Sequence, residues 1–484
     1  MSNFSARIAG IRLQAIMMAF FRLNLIAIVL ITFLVGVLSK ASECPALVEQ
    51  VRQISGDFVD PVLALDWLMY WEETSNVKEL TKPTVAHDLK VVKTNLDDAI
   101  IRDLNHAGSI TSLIVNGNTV FWPKHPWNAD TKVPYFNASA ATTWKVRFSA
   151  SRSLFLTTPT GDLYSIKLPT DNAHGKKEYE LASKADLTKS VIISLRRSKL
   201  ISTIKQWATA TDSHFEVLLD VMSVADRQTG NGFVIRDLRP LQDGHYYLPA
   251  FSVPYAGREI AKLLGQSYTS LWGTYYGALL GRAKASLLLN YGLQMKTPNA
   301  QNMLIQLDKN LRPTGKMFFR DISDSSLVQP VAEAIGLSAA VAMDKADNYF
   351  VYTELVPNWK NSTFYMNHGG LKSELLDYWG KKHNRAYIDY IISSLGKTSS
   401  GKNLFAGVKD ILSLQKILFS EKGKKAMAEY AQRQIQEDAF DPEAYCPDNP
   451  NFLNFIRKKF LPGPSQAQVN SLRLKFLSSP IGGR

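Results

Sequence analysis

Residues 291–324 place an amide pair and an acid on two predicted strands that are joined by a turn. Gln301 and Asn302 end a loop, and Met303 to Leu307 follows as the pattern of a buried strand. After a turn, the return strand leads directly into Asp321. Amide and carboxylate oxygens on adjoining strands can hold a magnesium ion that bridges phosphate oxygens. The alternative is an ordinary β-hairpin whose polar ends are solvated.

A lysine lies inside another predicted strand. Residues 154–168 read as two strands around a Pro-Thr-Gly-Asp turn, and Lys167 belongs to the second strand. An ammonium group on an ordered strand is a fixed positive charge that can pair with phosphate oxygens. The alternative is a solvent-facing lysine, because Ser165 and Lys167 alternate with apolar residues.

Two Arg-Asp pairs interrupt apolar strand patterns. Arg236-Asp237 lies in the segment VIRDL, and Arg320-Asp321 lies in FFRDI. An isolated buried charge is costly, so charges in this setting either form ion pairs with their neighbours or face a cleft. Both possibilities remain open for each pair.

Hydroxyl groups and a guanidinium group precede the first of these strands. Ser151, Arg152 and Ser153 form a pattern suited to contacting an anion, because arginine presents several donors to phosphate or carboxylate oxygens. The same residue types are common in exposed loops, which is the alternative. His214 and Glu216 flank the start of a later strand and are candidates for lining the same cleft.

Composition and periodicity predict four parts along the 484 residues, 45% of which are hydrophobic. An amino-terminal segment at 1–41 precedes a mainly helical section at 42–119. A sheet-containing core at 120–326 and a helical domain at 327–484 follow. The predicted fold class is α+β, with a mixed or antiparallel sheet core and helical amino-terminal and carboxy-terminal parts.

The first 41 residues contain four basic residues and no acid, and Leu23 to Leu38 is almost wholly apolar. This pattern is typical of an export signal. Small residues at Ser39 and Ala41 predict cleavage before Ser42, and the alternative is an uncleaved anchor formed by residues 23–38. We therefore expect an exported protein, periplasmic or secreted, that meets the membrane only through this segment if it is retained.

The chain has two cysteines, Cys44 and Cys446. In an oxidising compartment they are expected to pair, and closing so long a loop would stabilise the fold by about 4 to 5 kcal/mol in the chain-entropy model. The alternative is two unpaired buried thiols. Neither their spacing nor their neighbours predict a metal site.

The formal net charge is +13, and removal of the amino-terminal segment with its four basic residues would leave +9. The densest basic groups, Arg196-Arg197 with Lys199 and residues 457–459, are short, so nucleic-acid binding is not expected. A dispersed positive excess suits a small anion or a membrane surface. The chain lacks both a Gly-x-Ser-x-Gly motif and a histidine pair at zinc spacing, which argues against a hydrolase.

Six segments in chain order carry a resemblance to a known family. RFSASRS, the strand lysine, ISLRRS, VIRDL, YGLQMKTPNAQN and FFRD together resemble the siderophore synthetases that act independently of nonribosomal peptide synthetases, the aerobactin-synthetase (IucA/IucC) type. The resemblance covers about residues 124–324. It implies a kinase-like fold, ATP and magnesium as cofactors, and small-molecule carboxylate and amine substrates. The carboxylate would be adenylated and then attacked by an amine or a hydroxyl.

Carried over position by position, the resemblance implies roles for nine residues of this sequence. The implied catalytic residues are Lys167, Arg236 and Arg320; the implied cofactor-binding residues are Ser151, Arg152, Ser153, Lys167, Gln301 and Asn302; the implied magnesium ligands are Asn302 and Asp321. The set is physically coherent, since adenylation builds negative charge that cations and a metal stabilise.

Two alternative functions remain open. The family usually has a histidine where this chain has Asn299, which removes a titratable donor near the phosphates. Together with the export signal, this motivates a non-catalytic envelope protein that holds an anionic ligand or a partner in the same cleft. A kinase-like phosphoryl or nucleotidyl transferase is the second alternative. The sequence does not specify the oligomeric state.

Overall fold

The computed structural model describes residues 87–95, 99–103, 108–124, 142–148, 153–168, 189–205, 214–226, 232–254, 256–296, 298–363, 366 and 371–436. Several sequence-based predictions fall elsewhere. The predicted export segment, Cys44, Cys446, Ser151 and Arg152 lie outside the described residues.

Nine described strands form the larger sheet, and they pair antiparallel throughout. They are β1 (His87–Asn95), β2 (Ala99–Asp103), β3 (Val115–Asn116), β4 (Thr119–Pro123), β5 (Thr142–Phe148), β6 (Ser153–Thr157), β7 (Leu163–Lys167), β9 (Asp220–Asp226) and β10 (Gly232–Asp237). Their order across the sheet is β2-β9-β10-β7-β6-β5-β1-β4-β3. One face of β7 and β10 is apolar, because Tyr164, Ile166, Phe233 and Ile235 are spaced two residues apart along their strands and join a buried core.

Two smaller sheets follow along the chain. Their strands are β8 (Phe215–Val217), β11 (Tyr246–Pro249), β12 (Leu293–Met295), β13 (Met303–Leu307), β14 (Pro313–Phe319) and β15 (Ser325–Leu327). The order of the four-stranded sheet is β11-β13-β14-β8, with β8 parallel to β14, and β12 pairs with β15. An apolar cluster that includes Phe155, Leu163, Leu304 and Phe318 packs the four-stranded sheet against the larger one.

Helices account for most of the remaining described chain. They are α1 (Ser109–Ile114), α2 (Lys189–Lys205), α3 (Ala256–Leu263), α4 (Tyr268–Trp272), a π-helical turn (Gly273–Ala278), α5 (Leu279–Tyr291), α6 (Gln329–Ala334), α7 (Ser338–Ala346), α8 (Trp359–Ser362), α9 (Ser373–Leu395), α10 (Ile411–Leu418) and α11 (Glu421–Gln436). The apolar faces of the helices after α1 and of the four-stranded sheet share the largest hydrophobic core, whereas α1 packs in the core of the larger sheet. No helix among the described residues has the length and hydropathy needed to cross a membrane.

The predicted α+β class is confirmed. One detail of the predicted domain organisation differs from the structure. Residues 42–119 were expected to be mainly helical. The described part of that section contains β1, β2 and β3 with one short helix, α1. In β1, Leu89 and Val91 are buried while Asp88 and Lys90 are exposed, which is the period of two of a strand.

Helix α2 carries two buried arginines, which the sequence suggested as one of the densest basic groups. Arg196 and Arg197 are 1% and 0% exposed, and both bind the buried carboxylate of Asp344 on α7. Arg196 also pairs with Asp347. This pair of cations is therefore internal and joins α2 to the helical part of the chain.

Substituting Asp344→Asn would leave the two guanidinium groups without their shared buried counter-charge. Breaking a buried ion pair on one side costs about 3 to 5 kcal/mol, so we expect a loss of that size in the free energy of unfolding, measured by urea denaturation. Asp389→Asn is the matched control, since Asp389 pairs with Arg385 on the exposed face of α9. That change should cost less than about 1 kcal/mol. Equal losses in the two variants would contradict the buried network.

Candidate anion-binding site

Two cations lie on the same face of neighbouring strands in the larger sheet. Arg236 on β10 is paired with Ser165 on β7, and Lys167 is two residues further along β7. Because side chains alternate along a strand, Ser165 and Lys167 share a face, and Arg236 lies on that face too. This face is opposite the larger sheet's apolar core, and it also carries the buried Leu163 and Val234.

Asp321 reaches these two cations from the end of β14. Its carboxylate lies 3.8 Å from Lys167 Nζ through Oδ2 and 3.9 Å from Arg236 Nη2 through Oδ1. The backbone of Asp321 is left-handed, with φ 62° and ψ 59°. Aspartate tolerates this conformation better than most residues do, and such strained positions cluster at functional sites.

The turn after Asp321 is fixed by hydrogen bonds. Ser323 Oγ donates to Asp321 Oδ1 at 2.8 Å, which stabilises the left-handed residue locally. Tyr349 OH donates to the carbonyl oxygen of Ser323, and Arg197 Nε donates to that of Ser325 at 3.4 Å. The buried arginine of α2 therefore helps to hold the turn that positions the acid.

Arg236 is oriented by a second acid. Its Nε donates to Asp220 Oδ1 at 2.7 Å, which leaves Nη2 directed at Asp321. Asp220 is in turn held by α2, because Ser194 Oγ donates to its carboxylate and its backbone N–H donates to Ser198 Oγ at 3.0 Å. Burial lowers the pKa of Arg236, but the two acids outweigh it and the net pKa is raised. Arg236 is therefore a fixed positive charge.

The electrostatics of the cluster favour an anion. Lys167 first, and then Arg236, hold the pKa of Asp321 well below its ordinary value of 3.8, with Arg320 contributing in the same direction. Among the described residues, three cations thus act on Asp321, and one of them, Arg236, also pairs with Asp220. The side chain of Lys167 is 41% exposed and that of Asp321 is 27% exposed, so both are accessible to a ligand.

The β13–β14 hairpin brings the amide pair to the same turn. The backbone N–H of Arg320 donates to Asn302 O at 2.9 Å, and Arg320 Nε donates to Gln301 O at 2.9 Å. Asn302 therefore lies directly across the hairpin from the residue that precedes Asp321, and its side chain is buried. The structure thus places the backbone of the amide pair beside Arg320, the residue before Asp321.

The predicted site residues are thus brought together unequally. Lys167, Arg236 and Asp321 meet through their side chains, and Ser153 on β6 is paired with Lys167. Gln301, Asn302 and Arg320 adjoin this cluster through the hairpin.

Three other candidates contact different groups. Asp237 points away from Arg236 and pairs with Arg239, with 2.7 Å between Oδ2 and Nη2. His214 Nδ1 lies 3.1 Å from Gly315 O, and Glu216 pairs with Lys316 at 3.0 Å. His214 and Glu216 therefore each contact a residue of β14.

Sequence reasoning missed Asp220 and the two serines that hold it. The signal was present, because Asp220 interrupts the apolar run of Leu218, Leu219, Val221 and Met222 just as Arg236 interrupts its own strand. An acid and a base that each break an apolar strand pattern are candidates for pairing across adjacent strands.

Comparisons with known proteins give matches of fold alone. No family model matches the chain, and no curated protein matches it. The ATP-bound aerobactin synthetase IucA of Klebsiella pneumoniae is 15% identical, with a TM-score of 0.46 over 75% of this chain and 73% of that one. The petrobactin biosynthesis protein AsbB of Bacillus anthracis is 13% identical, with a TM-score of 0.47 over 75% and 72%. A rhoptry kinase of Toxoplasma gondii is 10% identical, with a TM-score of 0.30 over 79% and 97%. All three likenesses are remote.

Replacing Asp321 with asparagine tests whether its charge stabilises the cluster, since asparagine also tolerates the left-handed backbone. The pKa of Asp321 is depressed in the folded chain, so its contribution is present above the ordinary value of 3.8 and is lost as the pH falls below it. We expect Asp321→Asn to lower the free energy of unfolding by about 1 kcal/mol at pH 7, because the pairs are partly solvated. Urea denaturation at pH 7, 4 and 3 should show the difference shrinking. A difference that grows in acid would contradict this electrostatic picture.

Proposed function

We propose that the protein binds a magnesium-bound nucleotide at Lys167, Arg236 and Asp321 and uses it to activate a small carboxylate by adenylation, as a siderophore-synthetase-like enzyme. The observation that carries this proposal is the convergence of the three side chains on one face of the larger sheet. An ammonium and a guanidinium group at fixed positions suit phosphate oxygens, and the acid between them suits a divalent cation.

The donor set fits magnesium that arrives with phosphate. Among the described residues, no group of three His, Cys, Asp or Glu side chains could hold a metal ion by itself. Magnesium in nucleotide sites uses one or two protein carboxylates and completes its shell with phosphate oxygens and water. Asp321 would supply the carboxylate, and Asn302 is the proposed second ligand. The metal would neutralise charge on the phosphates and assist the displacement of pyrophosphate.

The residues of the chain have separate parts in this proposal. Lys167 and Arg236 would bind and orient the phosphates, and Asp220 would keep Arg236 in place. Arg320 is the proposed contact for the substrate carboxylate or for the α-phosphate, because a guanidinium presents parallel donors to either group. Holding carboxylate and α-phosphate together supplies much of the rate, since the reaction then becomes effectively unimolecular. An amine or hydroxyl substrate would attack the acyl adenylate.

A second candidate is a non-catalytic protein that holds an anion in the same cluster. It is favoured by the partly exposed ammonium group of Lys167, which an anion can reach without any turnover. Export through residues 1–41 belongs to this proposal more naturally than to the first, because ATP is scarce outside the cytoplasm. A kinase-like transfer of phosphate remains the third candidate.

Calorimetric titration with ATP and magnesium tests nucleotide binding. We expect Lys167→Ala and Asp321→Ala to weaken the affinity at least tenfold, since each removes a charge that touches the phosphates or their metal. Lys316→Ala is the matched control, because Lys316 is also a strand lysine in an ion pair, with Glu216, but lies on β14. Wild-type protein that takes up no nucleotide at millimolar concentration would refute the proposal.

The products then identify the reaction. Adenylation releases pyrophosphate and AMP and supports exchange of labelled pyrophosphate into ATP when a di- or tricarboxylate is present, whereas phosphoryl transfer releases ADP. Binding without either product would favour the non-catalytic alternative.

Asp321→Asn should act in opposite directions with and without metal. Without magnesium, the Asp321 carboxylate competes with a bound polyphosphate for Lys167 and Arg236, so the variant should bind inorganic tripolyphosphate more tightly, by about tenfold for one removed charge pair. With magnesium, the variant should gain nothing from the metal, because its carboxylate ligand is missing. Asp237→Asn is the control, since Asp237 pairs with Arg239 instead. Weaker metal-free binding in Asp321→Asn would contradict the assigned role.

A further inference from the structure

A second group of buried titratable side chains lies between the helices α5, α8 and α9. Lys284 on α5 is 5% exposed, and its Nζ donates to Pro357 O at 2.7 Å and to Ser362 Oγ at 2.6 Å. Both acceptors are neutral oxygens at the two ends of the segment that contains α8. Lys284 therefore joins α5 to that segment through two neutral oxygens.

His383 on α9 is fully buried close to this lysine. Its Nδ1 lies 2.9 Å from Asn384 Oδ1, and with that amide oxygen as acceptor Nδ1 carries the proton. Its Nε2 has no hydrogen-bond partner among the described residues. The ring stands against Trp359 of α8, with 5.3 Å between ring centroids. The imidazole is therefore packed as a neutral, mainly apolar group.

The helices around this pair are packed too closely to admit a solvated charge. A Cβ atom at Gly281 would come within 2.0 Å of His383 O, and one at Gly277 would come within 2.8 Å of Trp379 O. The backbones of α5 and α9 are thus in direct contact. Solvating a new charge in this contact requires that the elements separate, because a packed interior has no room for water.

Two further titratable groups that the structure describes in this interface do not supply negative charge near neutral pH. Tyr276, in the π-helical turn, donates its hydroxyl to Ser362 O, and the buried Tyr387 lies one turn after His383 on α9. Burial raises the pKa of both phenols, so they stay neutral. Burial also lowers the pKa of Lys284, and it lowers that of His383 with a further contribution from Lys284.

We propose that Lys284 and His383 form an acid-sensitive lock, a buried pair that holds α5, α8 and α9 together, and that protonation of His383 releases α8 from the helix pair. The closed form binds fewer protons than the open form at both groups, so acid shifts the balance towards opening. This inference does not rest on the proposed nucleotide site.

The size of the response follows from proton linkage. An opened His383 has an ordinary pKa of 6.5, and burial holds the pKa of the closed form well below that value. Protonation of the open form alone raises the open population about tenfold between pH 7.5 and pH 5.5. The pKa of Lys284 is also lowered in the closed form, so this residue contributes in the same direction.

Hydrogen exchange of the full chain at the two pH values, corrected for the intrinsic pH dependence of exchange, tests the lock. Amides of α8 and of the first half of α9 should open at least tenfold more at pH 5.5, relative to those of the β13–β14 hairpin. His383→Gln should reduce that ratio about tenfold, and the double variant with Lys284→Met should abolish it. His245→Gln is the matched control, because His245 is partly exposed beside Asp243, and it should behave as wild type.

A measurement on the wild-type protein keeps the proposal testable if the variants do not fold. Nitrogen NMR of the eight histidines should show one that keeps its Nδ1–H tautomer until the α8 amides open. A His383 that titrates near pH 6.5 with α8 still closed would overturn the proposal. So would a pH response of α8 that is unchanged in His383→Gln.

Discussion

The placement of one carboxylate between two cations organises the candidate site. Lys167 and Arg236 lie on neighbouring strands of one sheet, and two positive charges on adjacent strands are unfavourable unless an anion lies between them. Asp321 provides that anion from a different sheet. The site therefore depends on how the β13–β14 hairpin is docked against the larger sheet, which an apolar cluster around Phe155, Leu304 and Phe318 maintains.

Helix α2 connects both halves of this arrangement to the helical part of the chain. Ser194 and Ser198 hold the acid that orients Arg236, while Arg197 supports the turn that carries Asp321. Arg197 and its neighbour Arg196 are themselves held by Asp344 on α7. Buried charges of this kind contribute little net stability compared with apolar packing, but they permit few alternative arrangements. We infer that their role here is to fix the positions of Arg236 and of the turn that carries Asp321.

The sequence predicted the members of the site better than their contacts. Lys167 and Asp321 stood out because each is a charge at the end of an apolar strand pattern, and that pattern depends only on local residues. Asp220 was missed, and Arg196 and Arg197 were noted only as a short basic group, because their partners are distant along the chain. Arg197, for example, pairs with a residue 147 positions away. The left-handed backbone of Asp321 was also not predictable, since it arises from the hydrogen bonds of the following turn. The expected strand Met303 to Leu307 coincides with β13, whereas β1 lies in a section that was expected to be mainly helical.

The central claim is that Lys167, Arg236 and Asp321 bind a metal-bound polyphosphate. The most direct test is a crystal structure of the full chain grown with magnesium and a non-hydrolysable ATP analogue. The account predicts phosphate oxygens within hydrogen-bonding distance of Lys167 Nζ and of the Arg236 guanidinium, and a magnesium ion bound to the Asp321 carboxylate. Nucleotide density at another surface, with Asp321 still paired to both cations, would contradict it.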